Sequence, residues 1–312
     1  MSYTEVRPSE RGMRSSVWAL AIVILLDSLW RRRGRACINF FRDPIRVWKF
    51  LSKALFAFCV PLRSVRIAIA GYAWLRCVDD VFDNDSIPPW ACDRDAYLND
   101  KETVIEALRH GGSPIVIHPE DRLIEHVVRQ MDTQGIDIRG EIVAIWDSML
   151  CVERLRCSKS FVKREEIIRF TNLDDAGAVG SCVKVFGGDA KLFEAIGPSI
   201  KGVFMRIDML CDLLEDIKKG IVHIPLEAQH IHKLSIPEVL RCQSWEELFD
   251  VPGFKDWYWE ETEIVAGQFS AVRGMLYQNR MELFPSFFFR FLFIRKVLYG
   301  GDAMLKRVRN RL

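Results

Sequence analysis

The sequence contains neither G-x-x-x-x-G-K-[ST] nor G-x-G-x-x-G, the two glycine-rich patterns that bind nucleotide phosphates. It therefore gives no support for nucleotide hydrolysis or for a Rossmann dinucleotide domain. The pattern C-x-x-C is absent as well, and the 9 cysteines are scattered, which favours buried thiols in a reducing compartment over a disulfide framework. A net charge of +2 on 312 residues gives no general attraction to nucleic acid. We predict a cytoplasmic protein with no nucleic-acid partner.

The N-terminal region has no apolar run long enough to span a bilayer. Its apolar stretch Val17–Leu26 is too short, and no small-residue cleavage site follows it as a signal peptide would require. Residues 1–50 nevertheless carry ten Lys or Arg against four acids. An ordinary helix with a basic end is the favoured interpretation. The alternative is an interfacial helix on anionic lipid, which would make the protein membrane-associated through peripheral contact.

Helical periodicity dominates the chain, and the breaks between periodic segments coincide with Gly and Pro. The sequence shows no internal repeat and no convincing linker. We therefore predict an all-α protein whose main part is a single domain. The predicted helices are 12–30, 44–58, 63–83, 101–110, 120–133, 139–156, 163–186, 190–218, 235–242, 257–282 and 286–298.

Two pairs of aspartates have the i, i+4 spacing that places both carboxylates on one helix face. The pairs are Asp79 with Asp83 and Asp212 with Asp216. Each pair lies in a strongly apolar segment, where neighbouring negative charges are costly unless a cation compensates them. Asp208 extends the second row to three acids. Hard carboxylate oxygens suit Mg²⁺, which completes its coordination with water and phosphate oxygens. The sequence thus predicts two acidic walls that hold a diphosphate through magnesium.

Three histidines near the second acidic segment, His223, His230 and His232, do not have the spacing of a common zinc site. We interpret them as residues of a solvated loop.

Beyond the aspartates, the two acidic segments match conserved family patterns residue by residue. The first match comprises Pro61, Arg66, Tyr72, Ala73, Arg76, Asp79, Asp80 and Asp83. The second comprises Leu210, Asp212, Glu215, Asp216, Gly220 and Pro225. Supporting matches are Ala176–Gly180, Arg290 and Gly300–Asp302. In these residues the chain resembles the squalene/phytoene synthase family, a head-to-head type of trans-isoprenyl diphosphate synthase, from about Ser52 to the C terminus.

The resemblance implies an isoprenoid-synthase-type helical bundle with a central apolar cavity. We predict that residues 1–43 form a basic N-terminal helical extension and that residues 44–312 form the catalytic domain. The resemblance also implies two or three Mg²⁺ ions per site and a C10–C20 prenyl diphosphate substrate. The implied metal ligands are Asp79, Asp83, Asp208, Asp212 and Asp216. The implied catalytic residues are Asp79, Asp83, Asp212, Asp216, Arg76 and Tyr72. The implied substrate-binding residues are Arg76, Lys218, Ser52, Gly177, Gly180, Phe82, Phe204 and Arg290.

Several positions depart from the family pattern. Arginines expected before the second aspartate motif and in the segment that follows it are replaced by Cys211 and Ile221, and an expected tyrosine is His223. The metal-binding acids are kept while groups that would handle a second diphosphate are changed. The predicted function is magnesium-dependent transfer of a prenyl group to an acceptor, either a second prenyl diphosphate or a non-isoprenoid molecule, with release of diphosphate. The alternative is a terpene synthase or cyclase that acts on one prenyl diphosphate.

Overall fold

The computed structural model describes residues 62–83, 86–158, 162–286, 290, 293–294 and 298–311. Within these ranges the regular elements are helices, together with one isolated bridge between Val162 and Pro225. The helices are α1 (Leu62–Phe82), α2 (Arg94–Arg109), α3 (Asp121–Gln134), α4 (Arg139–Ser158), α5 (Arg164–Val185), α6 (Ala190–Ile196), α7 (Val203–Lys218), α8 (Leu226–His232), α9 (Ile236–Val239), α10 (Trp245–Asp250), α11 (Phe254–Gln278), α12 (Arg280–Leu283) and α13 (Tyr299–Arg309). The predicted all-α class is confirmed.

The predicted helix 190–218 is wrong as one continuous element. The chain forms α6, a short 3-10 turn at Gly197–Ser199 and then α7. Between them Lys201 and Gly202 adopt left-handed backbone angles, with φ of 53° and 63°. A Cβ on Gly202 would lie 2.0 Å from the hydroxyl oxygen of Thr171, so glycine allows this close approach to α5. The sequence also failed to predict the short helices α8 and α10 and the longer helix α13.

The predicted helices 12–30 and 44–58, the interfacial N-terminal segment and the 43/44 domain boundary lie outside the described residues. Those interpretations stay predictions. None of the described helices is long and apolar enough to cross a membrane. The described residues form two compact units, which divide between Arg139 and Gly140.

In the first unit, α1 packs against α3 around a buried ion cluster. The Lys101 ammonium of α2 lies 2.8 Å from a carboxylate oxygen of Glu120 and also pairs with Asp121. All three side chains are completely buried. Trp74 of α1 donates its indole N–H to Asp121 at 3.1 Å. A single lysine therefore compensates two buried carboxylates and joins α2 to the start of α3. The hydrogen bond from Trp74 links α1 to the same cluster.

In the second unit, α7 packs against α5, α11 and α13. Its apolar residues are buried on more than one side, among them Ile207, Leu210 and Leu213. Tyr258 of α11 donates to the Leu210 carbonyl at 3.1 Å. As the apolar composition predicted, α7 is largely a core helix, and one narrow face remains open to solvent.

Candidate active site

The open face of α7 carries the predicted acidic row. Asp208 and Asp212 are exposed, and Asp216 is half-buried one turn further on. Partial burial, reinforced by Glu215 and Asp216, raises the pKa of the Asp212 carboxyl. The raised pKa shows that negative charge on this row is unfavourable in the folded protein, which is the condition that a bound cation relieves.

The donor set of α7 fits magnesium. Within the described residues, no three His, Cys, Asp or Glu side chains form a metal cluster by themselves. Mg²⁺ does not require such a cluster, because it binds through one or two carboxylates and fills its octahedron with water and phosphate oxygens. Arg311 and Arg307 lower the pKa of Asp212, but burial and the neighbouring acids Glu215 and Asp216 raise it more. Magnesium binding itself stays a prediction.

The N-terminus of α7 is held by side chains of α5. Gly202, which precedes α7, has no side chain to cap it. Instead Asp175 accepts hydrogen bonds from the backbone N–H groups of Phe204 at 2.7 Å and Met205 at 3.0 Å. Asn172 accepts from the Gly202 N–H at 3.2 Å. This contact fixes where the acidic row begins relative to α5, and it was not predicted from the sequence.

We expect Asp175→Ala to lower the free energy of unfolding by about 1–3 kcal/mol, because two buried N–H groups lose their acceptor. Burial, followed by the neighbouring Asp174, raises the pKa of Asp175 to about 8. A carboxyl whose pKa is higher in the folded than in the unfolded protein stabilises the fold most at low pH. This contribution is lost as the pH rises from the pKa of the unfolded chain toward 8. Asp175→Asn should therefore lose less thermal stability between pH 5 and 8 than wild type. An equal loss in both proteins would contradict the assignment.

In the first unit, Arg76 ties together the acids of α1. Its guanidinium forms ion pairs with both Asp79 and Asp80. Arg76 is 8% exposed, whereas the Asp79 side chain is 31% exposed. Asp83 is half-buried just beyond the end of α1. The chain thus places a cation within the first acidic motif. The predicted phosphate contact of Arg76 remains a prediction.

The aromatic candidates lie in different surroundings. Tyr72 is 61% exposed, whereas Phe82 is 4% exposed. Phe204 is half-buried and makes an edge contact with Phe269, with ring centroids 5.8 Å apart. Their predicted roles in catalysis and substrate binding remain open.

The two glycines of α5 are packed against protein atoms. A Cβ on Gly177 would come within 2.8 Å of the Glu141 carbonyl and of the Ile145 side chain. A Cβ on Gly180 would come within 2.8 Å of Phe193. In this structure both glycines allow close helix packing, and their predicted contact with substrate stays a prediction.

The other predicted substrate-binding residues are spread along the chain. Lys218 is exposed at the end of α7. Arg290 donates to the Phe284 carbonyl at 3.2 Å. Ser52 lies outside the described residues.

The interpretation of His223 as a residue of a solvated loop is wrong. His223 is 7% exposed, and its Nε2 lies 3.3 Å from a carboxylate oxygen of Asp216. The apolar neighbours Val222 and Ile224 are buried beside it. These apolar neighbours were the available signal in the sequence, because a short apolar run is more often buried than solvated.

Comparison with known proteins supports the fold. No protein-family model matches the chain, and no curated protein matches it. Among solved structures, the chain is similar to squalene synthase HpnC from Alicyclobacillus acidocaldarius, with a TM-score of 0.62 and 14% identity over 98% of this chain and 96% of that one. It is also similar to a dehydrosqualene synthase solved in complex with ligand, with a TM-score of 0.54 and 14% identity over 96% of this chain and 97% of that one. The chain therefore has the all-α fold of squalene and dehydrosqualene synthases, as its resemblance to the squalene/phytoene synthase family predicted.

Proposed function

We propose that the protein is a magnesium-dependent prenyltransferase of isoprenoid or terpenoid biosynthesis and a divergent member of the squalene/phytoene synthase family. One observation carries the proposal. A core helix of a chain with this fold presents three aspartates, one turn apart, on the face that stays exposed among the described residues. A surface helix can carry a row of aspartates at little cost in stability. A helix that packs against three other helices has few positions exposed to solvent, and in α7 three of these positions are occupied by like charges.

The aspartates would hold magnesium in this proposal. The ligands would be Asp79, Asp83, Asp208, Asp212 and Asp216. When bound, the metal supplies Lewis-acid neutralisation of the negative charge that develops on a departing diphosphate. The chain itself orients the carboxylates through the packing of α7 and the contacts of Asp175. The cations that we assign to phosphate oxygens are Lys218, which is exposed, and Arg76. The ion-pair partners of Arg76, unlike those of Arg206, belong to the acidic motif itself, since they are Asp79 and Asp80. The allylic cation that remains must be kept from water, which is the role we assign to apolar residues such as Phe82 and Phe204.

The surroundings of α7 favour one diphosphate at a time. Cys211 and Ile221, which replace the expected arginines, are 4% and 3% exposed. Arg206 is the nearest replacement on α7, but it is buried and bonded to Glu261 at 2.6 Å and Gln268 at 2.5 Å. A second diphosphate would therefore lack charge-assisted contacts worth roughly 1.5–3 kcal/mol each. Two such losses reduce affinity about a hundredfold or more.

Arg311 provides a cation close to position 211 without restoring the expected contact. Its guanidinium donates to the backbone carbonyl of Cys211 at 2.6 Å and lies over the Trp245 ring, 4.3 Å from its centroid. These interactions hold the end of α13 against α7. Arg311 therefore holds two helices together and is not placed to bind a second diphosphate. On this basis we favour prenyl transfer to a non-isoprenoid acceptor, or cyclisation of one prenyl diphosphate.

The proposal is tested by incubating the purified protein with geranyl, farnesyl or geranylgeranyl diphosphate and Mg²⁺, and identifying products by mass spectrometry. We expect release of diphosphate together with a cyclised product, a hydrocarbon from one prenyl unit, or a prenylated acceptor added to the assay. Symmetric coupling products from a single prenyl diphosphate would overturn the one-diphosphate proposal. Failure to consume any of the three substrates, or full activity in EDTA, would overturn the function itself.

Asp208 should tighten magnesium binding, because it adds a third carboxylate to the α7 row. We expect Asp208→Asn to raise the magnesium concentration at half-maximal thermal stabilisation several-fold and to gain less thermal stability from the ion. Asp256→Asn, at an exposed position on α11, is the matched control and should behave like wild type. Equal magnesium midpoints for Asp208→Asn and wild type would reject the assignment.

A further inference from the structure

A small cavity lies in the second unit, lined on α7 by residues other than the three aspartates. Its volume is about 20 Å³, enough to hold one water molecule. Helices α5, α7 and α11 and the segment after α7 enclose it. Its polar lining consists of Arg164, Arg206, His223, Trp257 and Glu261.

Two ring nitrogens at this cavity are buried without a hydrogen-bond partner among the described residues. They are Nδ1 of His223 and Nε1 of Trp257. His223 is 7% exposed and Trp257 is 2% exposed. The guanidiniums of Arg164 and Arg206 cannot satisfy Trp257, because both groups only donate. They bond to Glu261 at 2.5 and 2.6 Å, and no hydrogen bond links either of them to Nδ1 of His223. A buried polar atom without a partner is destabilising, so a folded protein rarely leaves two at one cavity.

The hydrogen-bonding roles of the two rings are complementary. A carboxylate only accepts hydrogen bonds, so the proton of a neutral His223 ring that faces Asp216 is carried by Nε2, which lies 3.3 Å from a carboxylate oxygen. In the neutral ring Nδ1 is then an acceptor. The indole Nε1 of Trp257 is only a donor. One water in the cavity would accept from Trp257 and donate to His223, which satisfies both nitrogens and fixes the tautomer of the histidine.

We propose that His223 is a positioning residue for Asp216, held in its tautomer by a water that Trp257 also binds. The inference rests on the proposed function, because the orientation of Asp216 matters when that carboxylate binds magnesium. A hydrogen bond to one carboxylate oxygen restricts rotation of the side chain and leaves the other oxygen for the metal. Removal of groups that orient metal ligands typically weakens metal affinity by about 10–100-fold.

The test uses His223→Phe, His223→Gln and Trp257→Phe, with His230→Phe as the matched control on α8, where the histidine is exposed. Thermal unfolding is followed while Mg²⁺ is titrated in the presence of inorganic diphosphate. We expect the magnesium midpoint of His223→Phe to rise about tenfold or more. His223→Gln should stay within threefold of wild type, because its amide N–H can donate to Asp216. Trp257→Phe should fall between wild type and His223→Phe, and His230→Phe should match wild type.

The outcomes separate the inference from the proposed function. Absence of any magnesium effect on the wild-type protein would overturn the proposed function, and the inference with it. A magnesium effect in wild type that His223→Phe retains at the same midpoint would overturn the inference alone. If His223→Phe fails to fold, as its unfolding without magnesium will show, Trp257→Phe decides: a midpoint equal to that of wild type would overturn the water-linked positioning.

Discussion

Asp212→Asn and Asp79→Asn are each expected to lower kcat by about 10²–10³-fold, which corresponds to a loss of roughly 3–4 kcal/mol of transition-state stabilisation by the metal. Asparagine keeps the size of the side chain but removes the charge that holds the cation. Because the pKa of Asp212 is raised in the folded protein, removal of its charge should leave thermal stability unchanged or slightly higher. Steady-state kinetics with a prenyl diphosphate, alongside thermal unfolding, measure both effects.

The exposed Asp256→Asn variant controls for a general effect of lost negative charge and should retain wild-type kcat. Activity of both motif variants within threefold of wild type would show that neither carboxylate takes part in catalysis. A large loss of stability in Asp212→Asn would instead assign that aspartate a structural role.

The second large effect concerns stability. Lys101→Met should lower the free energy of unfolding by about 3–5 kcal/mol, because it leaves buried carboxylates without their cation. Methionine preserves most of the apolar volume of the lysine stem, so the loss reflects charge more than packing. Urea denaturation followed by circular dichroism measures it.

Lys191→Met, on the exposed surface of α6, is the matched control and should change stability by less than about 0.5 kcal/mol. A triple variant that combines Lys101→Met with Glu120→Gln and Asp121→Asn should recover part of the loss, since no buried charge then remains. Equal stability of the single and triple variants would show that the carboxylates are not the cause.

The sequence predicted what depends on local pattern. The helix predicted at 63–83 is found at Leu62–Phe82, and the one predicted at 163–186 is found at Arg164–Val185. Both segments are long and contain no proline, which favours an uninterrupted helix. The periodicity missed the break before α7, although Gly197 and Pro198 are a local signal for a break. The left-handed turn at Lys201–Gly202 depends in addition on close approach to α5, a contact between residues far apart in the sequence.

The candidate site was predicted unevenly for a similar reason. The i, i+4 spacing of the aspartates is local, so their shared face on α7 could be read from the sequence. The burial of His223 and the pairing of Arg206 with Glu261 depend on how α7 and α11 pack, and the spacing of residues along one helix contains no information on that. Lys101 is a further case, since a charged residue within a helix is more often exposed.

The contact between Asp175 and the start of α7 also bears on the order of folding. The acceptor and its two donors are separated by 29 and 30 residues, so this cap does not exist until α5 and α7 meet. Helix nucleation is unfavourable in an isolated segment, and α7 has a glycine where a local capping side chain would otherwise stand. The aspartate-bearing helix therefore gains its first turn from tertiary docking, and its three acids line up only after the surrounding unit has begun to assemble.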